Sequence, residues 1–127
     1  MKVLALDYGS ARTGVAVSDP TGSLARPLCV VERASTPDGL SRLRELVHEE
    51  RAERVVVGLP LTLRGARGAQ ARETERFVQG LRAAVDVPVE TFDERFTTTL
   101  AGPGAGDDAR AAAHLLSSYL EWSSRRS

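Results

Sequence analysis

Val3-Leu4-Ala5-Leu6-Asp7-Tyr8-Gly9-Ser10-Ala11-Arg12-Thr13-Gly14-Val15-Ala16-Val17-Ser18-Asp19-Pro20 opens the chain and decides its architecture. Val3 to Leu6 is a short apolar run that reads as a buried strand, and Asp7-Tyr8-Gly9-Ser10 reads as a turn. Val15-Ala16-Val17 is a second strand, Asp19-Pro20-Thr21-Gly22 has the composition of another turn, and Leu28 to Val31 is a third strand. Turns this short join antiparallel neighbours, so an antiparallel meander is expected.

Beyond it the period changes. Leu40, Leu43, Leu46 and Val47 recur at helical spacing, with Asp38 as the expected N-cap. Arg54-Val55-Val56-Val57-Gly58 is a continuous apolar strand ahead of Leu59-Pro60, of the kind covered on both faces in a parallel sheet. Thr62 to Gly68 is an Arg- and Gly-containing loop. A helix is expected over Ala69 to Val85, with Thr74, Phe77, Val78, Leu81 and Val85 inward. Val87 to Phe92 is the fifth strand. Asp108 to Glu121 is the last helix, with Ala111, Ala112, Leu115, Leu116 and Tyr119 on its apolar side and a frayed polar tail after it. The order β-β-β-α-β-α-β-α predicts an α/β fold with a mixed five-stranded sheet. Its first three strands are antiparallel, and the later ones are parallel to the first through right-handed crossovers.

With 127 residues, 42% hydrophobic and 27% charged, the chain reads as one globular domain over residues 1–127. Formal net charge is zero, so bulk charge announces no nucleic-acid partner. Of the 17 basic residues only Lys2 is lysine; a G- and C-rich genome explains that bias, so placement must carry any functional argument. Cys29 is alone, which excludes an intrachain disulfide and a cysteine zinc site. No apolar run reaches the ~20 residues of a membrane span, and Asp7 arrives too early for a signal peptide; the expected location is the cytoplasm, with no membrane partner.

Acidic residues punctuate the strand ends. Asp7 closes the first strand, Asp93-Glu94 closes the fifth, and Asp107-Asp108 opens the last helix. In open α/β sheets ligands bind outside the carboxyl ends of the strands, so these carboxylates are expected at one edge. Carboxylates gathered at one point repel, and a hard divalent cation relieves the repulsion. Two cations about 3.5–4 Å apart stabilise the attacking and departing oxygens of phosphodiester cleavage. Taken singly, each acid has a bland alternative: Asp7 capping its turn, Asp93 or Glu94 pairing with Arg95, Asp108 capping its helix.

Four motifs carry a family resemblance. Asp7-x-Gly9-x-x-Arg12-x-Gly14-Val15-Ala16-Val17-Ser18-Asp19-Pro20 resembles the opening of the YqgF/RuvX family, a bacterial branch of the ribonuclease H-like superfamily. Val56-Val57-Gly58-Leu59-Pro60-Leu61 resembles its central strand. Asp93-Glu94-Arg95-Phe96-Thr97-Thr98 resembles its Asp-Glu-Arg-Leu-Thr-Thr motif, with Phe96 in place of Leu. Asp108-x-x-Ala111-Ala112-x-x-Leu115-Leu116-x-x-Tyr119-Leu120 resembles its last helix. The motifs keep the family's order across nearly the whole chain. One departure is the short segment Thr99 to Asp107.

The resemblance implies a ribonuclease H-like fold and a metal-dependent endonuclease using Mg²⁺ or Mn²⁺. Members are described as Holliday junction resolvases and as nucleases maturing the end of pre-16S ribosomal RNA. By position Asp7, Glu94 and Asp108 match the acidic triad, as catalytic residues and metal ligands. By the resemblance Asp93 is the less favoured of its pair; consecutive strand residues point oppositely, so only one of the two should face the metal, and alternation does not fix which. Arg12, Arg64, Arg67 and Arg95 are the candidate nucleic-acid contacts, for a four-way DNA junction or a precursor ribosomal RNA. Action on a junction would call for a homodimer. A non-catalytic nucleic-acid-binding module of the same fold is the alternative, and half of an actin-like ATPase is a third reading. Trp122 and Tyr119 read as core-edge packing and not as base-stacking platforms, no aromatic ladder suggests single-strand binding, and His48 and His114 read as structural or surface residues.

Overall fold

A computed structural model describes residues 1–62, 64–96 and 108–126. Five strands and three helices follow in the expected order: β1 (Val3–Asp7), β2 (Arg12–Ser18), β3 (Ala25–Glu32), α1 (Pro37–Glu49), β4 (Arg54–Leu59), α2 (Ala69–Ala84), β5 (Val89–Asp93) and α3 (Asp108–Arg126), with a 3₁₀ turn, Glu94–Phe96, after β5. The strands form one sheet in the order β3-β2-β1-β4-β5. β1–β2 and β2–β3 pair antiparallel, while β1–β4 and β4–β5 pair parallel. The mixed α/β sheet read from the sequence is therefore present.

Alternation along the strands sorts the core into two layers. Leu4, Leu6, Val15, Val17, Val55 and Val57 face α1 and α2, where Leu43, Leu46, Phe77, Val78 and Leu81 close over them. Val3, Ala5, Ala16, Val56 and Phe92 face α3 and meet Ala112, Leu115, Leu116 and Tyr119. Small Ala5 and Ala16 let α3 lie close to the middle of the sheet. At the far end of β4 and β5, Arg54 Nη1 donates to Tyr119 Oη at 3.0 Å and to Glu90 Oε1 at 3.2 Å, and the Tyr119 hydroxyl also bonds Glu90. That cluster fixes α3 along its axis.

Several boundaries differ from expectation. Thr36, not Asp38, caps α1: its Oγ1 accepts from the Gly39 N–H at 3.2 Å, with Pro37 opening the helix and Asp38 in its first turn. β3 begins at Ala25 and admits Pro27 because it is an edge strand beside a register irregularity at Val15/Ala16. α3 runs on to Arg126, held by the Glu121–Arg125 ion pair at 2.6 Å and by the Arg126 guanidinium lying 4.8 Å from the Trp122 ring centroid. Thr97, Thr98 and Asp107 lie outside the described residues. Among those described, no helix is long and apolar enough to cross a membrane.

Candidate active site

Asp7 ends β1 on the face that carries Val3 and Ala5, so its side chain lies on the α3 side of the sheet. Glycine stands on either side of it. Gly14 is its antiparallel partner on β2; Gly58 follows Val57, the partner of Leu6, on β4. Both glycines are dictated by close approach. A Cβ at Gly14 would overlap the backbone carbonyl of Asp108, so α3 begins directly against β2. A Cβ at Gly58 would stand 2.9 Å from Glu94 Oε1 and 3.0 Å from Glu94 Cγ. The missing side chains leave the space through which Asp108 and Glu94 reach Asp7.

Asp93 and Glu94 part company at the 3₁₀ turn. Asp93 accepts from the Arg95 backbone N–H at 2.9 Å, and the Arg95 guanidinium grips its carboxylate at 2.6–3.1 Å. This fork holds Asp93 below the usual carboxylate range. Glu94, one residue on, folds back over Gly58 and hydrogen-bonds Asp7 side chain to side chain. Burial, followed by the Asp7 charge, pushes the Glu94 carboxyl up to about 7. Burial also raises Asp7, with the Asp108 charge adding to it, while the Glu94 hydrogen bond acts in the opposite sense. The hydrogen bond between them thus favours the proton on Glu94 and the charge on Asp7.

Asp108 begins α3 and is engaged by Arg12, whose Nε lies 3.4 Å from Asp108 Oδ2. Two carboxyls are thus in direct contact and the third stands close enough to act on Asp7 electrostatically. As they stand, no three His, Cys, Asp or Glu side chains among the described residues form an ion cage. The donor set still fits a hard divalent cation: it consists of carboxylate oxygens whose ionisation is opposed by burial first and by neighbouring carboxylate charge second, and a cation relieves both.

A polar cleft of about 440 Å³ opens over this point, lined by Asp7, Tyr8, Gly9, Ser10, Pro60, Gln70, Glu73, Thr74 and Glu94. Tyr8 stacks on Phe77 of α2 with centroids 4.4 Å apart, which seats the β1–β2 turn against that helix. Gln70 and Glu73 thereby join the site, although nothing in the sequence pattern singles them out. The overlooked signal was position: α2 starts immediately after the loop at the active edge, so its first turns face the cleft.

The four candidate arginines divide. Arg12 touches the site through Asp108. Arg95 holds Asp93 and lies against the loop, since a Cβ at Gly65 would be 3.2 Å from its Nη1. Arg67 pairs with Glu75 at 3.2 Å. Arg64 is exposed and forms no ion pair among the described residues. The loop is tied by the Gly65 N–H donating to the Thr62 carbonyl at 2.8 Å and by Ala66 N–H donating to Thr62 Oγ1 at 3.0 Å.

Residues 1–122 match the family described as "RuvX: Holliday junction resolvase". The chain belongs to the RuvX family. A relative from Rubrobacter xylanophilus, named "Putative pre-16S rRNA nuclease", is 47% identical over 94% of this chain and 92% of its own. One of the same name from Chloroflexus aurantiacus is 46% identical over 78% of this chain; the match spans 65% of that relative's length. Among solved structures, one titled "T. thermophilus RuvC in complex with Holliday junction substrate" superposes with a TM-score of 0.61 at 19% identity, covering 98% of this chain and 96% of that one. That likeness bears on the fold, and it is ribonuclease H-like, as expected for RuvX.

Proposed function

We propose that this RuvX-family chain is a metal-dependent endonuclease that hydrolyses phosphodiester bonds in structured nucleic acid, with Asp7, Glu94 and Asp108 as the residues that hold Mg²⁺ or Mn²⁺. The observation that carries this reading is the contact of Asp7 and Glu94 over Gly58, with Asp108 alongside, in a polar cleft at the carboxyl edge of a parallel sheet. A bound divalent cation supplies positive charge that neutralises these carboxylates, polarises the phosphoryl group and stabilises the departing oxygen. The chain's own groups do the rest. Asp7 and Glu94, hydrogen-bonded to each other in this structure, would hold the cation with both carboxyls ionised. Arg12 turns from Asp108 towards the substrate backbone. Arg64 and Arg67 on the loop, and Arg95 beside it, lie at the same edge and supply phosphate contacts.

The names of the relatives supply two substrates: a four-way DNA junction and a precursor of 16S ribosomal RNA. Both are cytoplasmic in a bacterium, and acting symmetrically on a junction would require two copies of the chain. The deciding experiment offers both substrates with Mg²⁺ or Mn²⁺, beside Asp7→Asn. Cleavage that falls roughly 100-fold or more in the variant, with its fold intact, is expected. A fully active Asp7→Asn removes the assignment. Metal-independent binding without cleavage would favour a non-catalytic module.

A further inference from the structure

The aromatic cluster at the edge of β5 lies outside the chemistry described so far. Phe92 forms its floor, with its ring centroid 5.6 Å from Tyr119, 5.6 Å from Trp122 and 6.1 Å from Phe96. Tyr119 is buried, but Phe96 is 60% and Trp122 39% exposed. Single exposed apolar side chains are ordinary; two large aromatics rimming one concavity are not. Phe92, Phe96, Ser118, Glu121, Trp122 and Arg125 together line a pocket of about 270 Å³.

Two observations identify its occupant. The first is charge. Arg125 lines the pocket, where Glu121 offsets it, while Arg126 lies on the Trp122 ring and forms no ion pair among the described residues. A guanidinium beside an exposed indole suits a partner that is flat and anionic. The second is continuity with the cleft. Glu94 and Phe96 are the two ends of one 3₁₀ turn, whose rise separates their backbones by about 4 Å along its axis, so one turn carries both the carboxyl that bonds Asp7 and a wall of the shelf.

We infer that Phe96 and Trp122 form a stacking subsite for an unpaired nucleobase of the strand whose backbone enters the Asp7–Glu94 cleft. The inference rests on the nuclease reading and adds to it the form of substrate recognised: single-stranded nucleotides next to the cut. Aromatic faces accept any base, so the shelf sets strandedness and position, not sequence. The surface this end of the molecule presents is thereby accounted for: aromatics exposed where a nucleotide passes, and positive charge at the margin for its phosphate.

Trp122 is the chain's single tryptophan and reports on its own subsite. The full chain is titrated in EDTA with a short single-stranded oligonucleotide, with an abasic strand of equal length and with the wild type replaced by Phe96→Ala or Phe96→Leu. Saturable quenching of Trp122 by the base-bearing strand, little by the abasic one, and roughly 5- to 100-fold weaker binding by both variants are expected. Phe96→Leu keeps the apolar surface and removes the ring, so folding and stacking are separated; circular dichroism confirms the fold. Equal quenching by the abasic strand, or unchanged affinity in both variants, overturns the subsite. A dimer that Phe96→Ala dissociates, seen by sedimentation, overturns it in favour of a second copy of the chain. Cleavage dependent on Asp7 but without quenching refutes the shelf alone; quenching without cleavage upholds the shelf and refutes the nuclease.

Discussion

Replacing Glu94 with Gln should stabilise the metal-free protein in alkaline solution. The Glu94 carboxyl is lifted from an ordinary 4.5 to about 7 by burial first and by the Asp7 charge second. Ionising it inside the fold therefore costs roughly 3 kcal/mol more than in the open chain. Glu94 lies at the mouth of an open cleft, where water screens part of that cost, so about 1–2 kcal/mol is the realistic figure. The sign follows from proton linkage: between about pH 4.5 and 7 the folded state holds more protons than the unfolded one, so wild-type stability falls as pH rises through that window. The Gln side chain still donates to Asp7 but never ionises. At about pH 8 in EDTA, Glu94→Gln should melt about 4–7 °C above wild type for a chain of this length, and the gap should close at about pH 4.5. Differential scanning calorimetry across that range is the assay. Adding Mn²⁺ should reverse the order, because wild type keeps the ligand that the variant lacks. A variant that melts at or below wild type at pH 8 without metal would show that the Asp7–Glu94 pair is not under electrostatic strain, and the site reasoning would fall with it.

Two further perturbations probe the same geometry. Gly58→Ala places a Cβ 2.9 Å from Glu94 Oε1 and 3.1 Å from Leu115 Cδ2; Glu94 must swing off Asp7, so cleavage should drop by an order of magnitude or more while stability changes by only about 1–3 kcal/mol, read by parallel activity and melting measurements. Arg12→Ala breaks an exposed ion pair and should shift stability by less than about 1 kcal/mol, yet weaken nucleic-acid binding and flatten its salt dependence by roughly one unit of slope, measured by binding across a salt series.

The layers and strand directions could be read from periodicity because β4 is apolar without interruption and the first three strands are joined by short turns, and both patterns have few physical solutions. Asp7 was legible for the same reason: it closes a strand whose neighbours are forced. The choice of Glu94 over Asp93 was not, since strand alternation stops at Asp93 and the 3₁₀ turn that follows has its own geometry. Family resemblance selected Glu94; the backbone explains why it reaches Asp7. Gln70 and Glu73 were not legible because helical periodicity records which face is polar, and a polar face looks alike whether it meets bulk water or a cleft. The end of α3 was misread because Ser123 and Ser124 argue for fraying, whereas the Trp122–Arg126 and Glu121–Arg125 contacts favour the helix. For the shelf, the sequence shows aromatics but not their exposure, which depends on how far β5 and α3 overlap.

The clamp of Tyr119 by Arg54 and Glu90, eleven residues along α3 from Asp108, has an evolutionary consequence. A helix of that span, about 16 Å, is indexed from its far end and by its landing on Gly14, not by the chain that delivers it. Residues ahead of Asp108 can then be gained or lost without moving the carboxylate.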